Sequence, residues 1–185
     1  MQQIYEAVRA GDRTKVKALV EADPTLAIFA AAILDDTVAI EALLAADPLL
    51  TAAVSSDGWM PLHLAAHFGK SGALRVLLKR GAQANAFSTN AMRNTALHAA
   101  AAGRATEVGK LLVEHGANVN ARQHGGWTAL HAAAQSGDIE FARTLVAAGA
   151  DVNTRADNQQ RPLDLALTKG QQAMVDFLES HGASL

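Results

Sequence analysis

Cysteine is absent from the chain, which excludes disulfides and thiolate metal sites and fits a reducing compartment. A cytoplasmic location is therefore the expectation. Aromatic residues make up only 4% of the sequence although half of it is apolar. Alanine and leucine fill the difference, a composition that favours close-packed helices over sheets. Charge of either sign is nearly balanced, at a net −2, and gives no reason to expect nucleic acid or an anionic membrane as partner. Long hydrophobic runs are missing too. The longest, Leu26 to Leu34, has nine residues, about half of what spans a bilayer. The opening MQQIYEAVRAGD lacks the basic start and apolar core of a secretory signal. No phosphate-cradling G-x-x-x-x-G-K, no G-x-S-x-G elbow and no H-E-x-x-H is found. The expectation is a non-enzymatic chain with no cofactor and no metal.

What the sequence does have is a repeat. His63, His98, His131 and Asp164 head four similar segments, spaced by 35, 33 and 33 residues. Eighteen residues beyond each head lie Gly81, Gly116, Gly149 and Gly182, every one followed by alanine. Each copy parses physically. Thr95 and Thr128 stand where a helix N-cap belongs, and Pro61 and Pro162 at the first helical position. A short alanine-rich helix ends at Gly69, Gly137 or Gly170, in the place of a left-handed cap. A second helix carries apolar residues at i, i+3, i+4, as in Ala73, Leu74, Leu77 and Leu78. Polar turns such as ANVNARQHGG and ADVNTRADNQ then lead to the next copy. Asn85, Asn120 and Asn153 recur in phase within these turns and read as turn hydrogen-bonders.

With PLHLAA, ALHAAA, GANVNAR and GADVNTR at fixed offsets, residues 55–185 resemble ankyrin repeats. The front follows the same pattern more loosely: Ala7-Val8, Gly11, Val16 and Leu19-Val20 form one helix pair, and Ala31-Ala32, Ile40 and Leu43-Leu44 another, ending in Asp23-Pro24 and Asp47-Pro48. That "ADP-x-L" ending is similar to bacterial-type ankyrin chains. The resemblance implies an all-α solenoid of about six stacked repeats, at 1–24, 25–54, 55–87, 88–122, 123–155 and 156–185. Departures from the pattern are local. Met60 and Arg161 replace the capping threonine, a loss of about 1 kcal/mol each unless compensated. Arg104 takes a glycine position, with Gly103 one residue early, so a reshaped turn is expected there. The loop from Ala84 to Asn94 is two residues longer than its counterparts.

Three periodic histidines invite a zinc reading, but stacked helix pairs hold equivalent positions roughly 8–10 Å apart, whereas zinc needs each nitrogen at about 2 Å. The resemblance gives this histidine a structural role, bonding backbone and the preceding threonine. His115 and His181 stand at helix C-termini, where imidazole complements the dipole. Asp35-Asp36, adjacent where two helices join, reads as a solvated loop, not a catalytic pair.

The resemblance also places partner contacts on a concave face built from hairpin tips and first helices. Mapped residue by residue, the candidates are Asp57, Trp59, His67 and Phe68, then Met92, Arg93 and Asn94, then His124, Trp127, Gln135 and Ser136, and finally Gln160 and Lys169, beside Asn158 and Thr168. Both tryptophans fall at the same repeat position, either as contact residues or packed flat on their own loops. Charge is uneven. Residues 55–122 carry eight basic and three acidic side chains, against four and eight in 1–54 and four and seven in 123–185. Polar outer faces on the first and last helix pairs fit a monomer. The leading expectation is a protein–protein interaction module. An ankyrin arm of a larger enzyme or regulatory protein is the second reading. A structural or engineered array with no natural partner is the third, and Met60, Arg104 and the long fourth loop speak against consensus design.

Overall fold

The computed structural model describes residues 1–184. Its twelve helices come as six consecutive pairs: α1 (Gln2–Arg9) with α2 (Arg13–Ala22), α3 (Ala27–Leu34) with α4 (Thr37–Ala46), and α5 (Pro61–His67) with α6 (Ser71–Lys79). Then follow α7 (Ala96–Gly103) with α8 (Thr106–Glu114), α9 (Ala129–Ser136) with α10 (Ile139–Ala147), and α11 (Pro162–Thr168) with α12 (Gln172–Ser180). Each odd helix packs on the next odd one, and from α4 onward each even helix packs on the next even one. No strand occurs among the described residues, and the fold is an all-α solenoid. One continuous core of alanine and leucine, from Ile4 to Leu178, runs its length. Alanines at Ala65-Ala66, Ala99-Ala100 and Ala133-Ala134 are fully buried, which lets the odd helices approach closely.

Two ladders of side chains tie the units together. His63, His98 and His131 donate from Nε2 to the carbonyls of Asn94, Trp127 and Gln160, at 2.9, 3.1 and 3.2 Å, each in the loop ahead of the following odd helix. The Nδ1 atoms of His98 and His131 each accept from a threonine hydroxyl, Thr95 and Thr128, at 2.9 Å. The asparagine side chains reach beyond their own turns. Asn85, Asn120 and Asn153 donate to the carbonyls of Gly116, Gly149 and Gly182. Their Oδ1 atoms accept from the backbone amides of Asn118, Asp151 and Ser184. Each therefore bridges two consecutive loops, where turn hydrogen bonding alone was expected.

The departures from the repeat resolve individually. At Arg161 the expected loss is offset, because Asp164 accepts from the Arg161 amide at 2.8 Å and from its Nε at 3.2 Å, while Nη1 reaches the Ser184 carbonyl. At Met60 nothing compensates: α5 starts without a side-chain cap, and Nδ1 of His63 is buried with no partner among the described residues. The turn after α7 is not reshaped, contrary to expectation. Arg104 adopts the left-handed cap itself, at φ 54° and ψ 38°, close to Gly137 at 71° and 22°. Gly103 is glycine for another reason, since a Cβ there would collide with the backbone carbonyl of His67.

Asp35 and Asp36 serve helix ends. Asp36 caps α4 through the Ala39 amide at 3.0 Å, and Asp35 accepts from the Ala73 amide of α6 at 2.5 Å. Asp23 and Asp47 likewise cap the short 3-10 turns Pro24–Leu26 and Pro48–Ala52 that replace the long loops at the front. His115 and His181 each place Nδ1 2.8 Å from the carbonyl four residues back, as a residue closing a helix should.

Candidate partner-binding face

The periodic imidazoles are consumed by the scaffold. Burial pushes His63, His98 and His131 below the usual histidine range, against the opposing effect of their carbonyl partners, and takes His98 down to about 4. They are neutral, with Nε2 engaged, and no group of three or more His, Asp or Glu among the described residues could hold a metal ion. No described helix is long and apolar enough to cross a membrane.

Two clefts open on the side lined by loops and odd helices. The first, of about 210 Å³, is walled by Tyr5 and Arg9 of α1, Asp57 and Trp59 of the loop into α5, and Leu64, His67 and Phe68. It unites all four sequence candidates of this region. Trp59 meets His67 edge-on, with ring centres 5.2 Å apart and planes at 88°, and Phe68 meets His67 in the same manner at 5.1 Å. Tyr5 closes the opposite side, its ring 5.8 Å from Phe68. Its hydroxyl donates to Asp57 Oδ2 at 2.5 Å, and Ser55 Oγ donates to Oδ1 at 2.5 Å. Burial, reinforced by the Asp57 bond and charge, holds the Tyr5 phenol far above its ordinary pKa. His67 is held neutral mainly by burial, aided by the charge of Arg9.

The second cleft, of about 310 Å³, lies among the long loops and is lined by Phe87, Arg93, Arg122, Gln123, His124, Gly125, Gly126 and Asp157. Arg93 lays its guanidinium over Phe87 at 5.5 Å. Arg122 pairs with Asp157 at 3.3 Å, and the His124 amide donates to the Met92 carbonyl at 2.9 Å. Met92 is 49% exposed, so the longer loop presents apolar surface at its tip.

The remaining candidates divide. Asn94 is corrected: it is 8% exposed, with Ser88 Oγ donating to its Oδ1 at 2.5 Å, and it presents nothing to solvent. The position that carries tryptophan in two repeats is here spent on closing the longer loop. Trp127 is half-buried, its ring 5.6 Å from that of His131, so it packs and still shows a face. Gln160 lends its carbonyl to His131 and is half-buried. Gln135 and Lys169 are exposed, while Ser136 is half-buried and bonds the Ala133 carbonyl. Tyr5, Arg9 and Leu64 were not among the sequence candidates for the face, although Arg9 precedes Gly11 by two residues as His67 precedes Gly69. That shared offset was the available signal.

This geometry agrees with what the chain matches. A family model described as "Ankyrin repeats (3 copies)" fits residues 4–88, 83–156 and 123–185. The chain belongs to the ankyrin repeat family. The Neurogenic locus Notch protein of Drosophila melanogaster is 41% identical to it over 90 residues, which are 48% of this chain and 3% of that protein. The ankyrin chain thus spans a small fraction of the length of the curated relative it matches. Ankyrin repeats are in general protein–protein interaction modules, and the two clefts lie on the loops and odd helices of this array.

Proposed function

We propose that the chain is a non-enzymatic interaction module of six ankyrin repeats of bacterial type, acting as a monomer, with a protein partner seated on the concave face of loops and odd helices. One observation carries the reading. Side chains that the repeat leaves free to vary, Asp57, Trp59, His67 and Phe68, converge on one open cleft, while the invariant-looking imidazoles are consumed by scaffold bonds. The rest of the face would be Met92, Arg93, His124, Trp127, Gln135, Ser136, Gln160 and Lys169, with Asn94 removed. Half-exposed aromatics beside polar groups are the composition of binding hot spots.

The test is capture of partners by the immobilised chain and by face variants, read by quantitative mass spectrometry. Trp127→Ala with Gln135→Lys should lose proteins that Lys79→Glu, on an even helix, retains. Equal capture by all three, with unchanged folding, would overturn the assignment of the face. A second reading, an ankyrin arm of a larger enzyme or regulatory protein, is favoured by the match to a short part of a much longer relative. The length of the native polypeptide decides it.

A further inference from the structure

The cleft between α1 and α5 has a chemistry of its own. Its lining is mostly aromatic and aliphatic, and about 210 Å³ is less than a cofactor or drug-sized ligand fills but suits a single side chain. Its one carboxylate is already committed, since Asp57 accepts from Tyr5 on one oxygen and from Ser55 on the other. Its one cation is not. Arg9 is exposed and pairs with no carboxylate among the described residues. The same imbalance continues along the odd helices. Arg104 after α7 and Lys169 after α11 are exposed without carboxylate partners, as is Arg93 on the loop into α7. The acids nearby are engaged: Asp157 by Arg122, Asp164 by Arg161, and Asp151 by the Asn153 amide.

We propose that this cleft receives one leucine- to phenylalanine-sized side chain from an extended acidic segment of a partner protein, with a carboxylate of that segment on Arg9. The proposal rests on the interaction-module reading and adds the chemistry of the partner. Apolar walls desolvate the anchor, and the edge-on rings of Trp59 and Phe68 around His67 fix its shape. Arg9 at the rim sets the sign of the neighbouring charge and steers approach. A basic segment is disfavoured because it meets Arg9 and finds Asp57 already bonded.

The experiment is selection of random peptides displayed on phage against the immobilised full chain. Enriched sequences are then synthesised with a fluorescent label and titrated by anisotropy. The expected sequences carry one leucine, methionine or phenylalanine flanked by aspartate or glutamate. Phe68→Ala should weaken such a peptide by roughly thirtyfold, the hot-spot range. The exposed variant Arg9→Glu should weaken it by roughly fivefold and strengthen a version with lysine in place of the acids. Lys79→Glu should leave affinity unchanged, and thermal melts confirm that each variant is folded. Enrichment of basic peptides, of peptides without charge bias, or of no sequence at all overturns the proposal. So does an acidic peptide indifferent to Arg9→Glu. A chain that selects no acidic, apolar peptide yet still loses partners on Trp127→Ala with Gln135→Lys refutes this cleft and leaves the interaction face standing.

Discussion

Met60 is the position where one substitution should strengthen the array. Its backbone, at φ −89° and ψ 162°, already has the conformation of Thr95 at −88° and 170° and of Thr128 at −104° and 169°. Met60→Thr therefore needs no rearrangement to set its hydroxyl beside His63. That imidazole donates from Nε2 to Asn94, so its Nδ1 is an acceptor, and it is the acceptor left buried without a partner. The new hydroxyl would donate to Nδ1 and accept from the His63 amide, as Thr95 and Thr128 do for their own helices. A cap is worth about 1 kcal/mol, and satisfying a buried acceptor adds about 1 kcal/mol. Against this stands the loss of a half-buried methionine, about 0.5–1 kcal/mol. The net gain is about 1–1.5 kcal/mol, or roughly 2–6 °C in Tm for a chain of this size. Urea unfolding followed by circular dichroism measures it, with hydrogen exchange of the α5 amides localising the effect. Met60→Val is the control, having the shape of threonine without its hydroxyl. If threonine and valine variants unfold at the same urea concentration, the hydroxyl contributes nothing and the account of the His63 ladder is wrong.

Other substitutions separate packing from propensity. Gly109→Ala in α8 ought to stabilise by about 1 kcal/mol on helix propensity alone. The added Cβ would overlap the ring of the fully buried Phe141, so we expect a loss of about 1–3 kcal/mol in urea midpoints instead. Arg104→Gly should gain about 1 kcal/mol by relieving a left-handed non-glycine residue, measured in the same way. Stability should also fall with acid. His63, His67, His98 and His131 have folded pKa values below their unfolded ones, so the unfolded chain binds more protons and their contribution is complete only above pH 6.5. It is lost as pH falls below that, in the case of His98 down to about 4, this residue alone accounting for on the order of 3 kcal/mol. His98→Gln should be less stable at pH 7.5, and the gap to the native chain should shrink by pH 4. A constant gap would refute the linkage.

Most of the architecture was legible because the repeat writes it out four times. Glycines after the helices, prolines at their starts and Thr-x-x-His boxes each have one structural solution, and copies in register remove ambiguity. The front was readable from the same offsets despite its Asp-Pro endings. What the sequence concealed was interaction between units. Gly103 looks like a displaced cap residue, and only the carbonyl of His67 pressed against it explains the glycine. Asn94 occupies a position that is half-buried in other copies, and the extra residues of its loop draw it further inward. Of the residues lining the first cleft, Asp57, Trp59, His67 and Phe68 were among the sequence candidates, whereas Leu64 and the α1 side were not. Tyr5 lies more than fifty residues from Asp57 and Phe68, and with Arg9 it sits in the most degenerate copy.

That long reach alters the physics of the array. A solenoid is ordinarily a one-dimensional chain in which each unit feels only the two beside it, so its stability is a sum of local and nearest-neighbour energies. Tyr5 breaks this rule, because from the first helix pair it bonds Asp57 and packs on Phe68, which belong to the third. The front of the molecule thus carries a second-neighbour coupling in addition to its nearest-neighbour contacts. A perturbation at the third unit therefore has a direct route to the first that does not pass through the second.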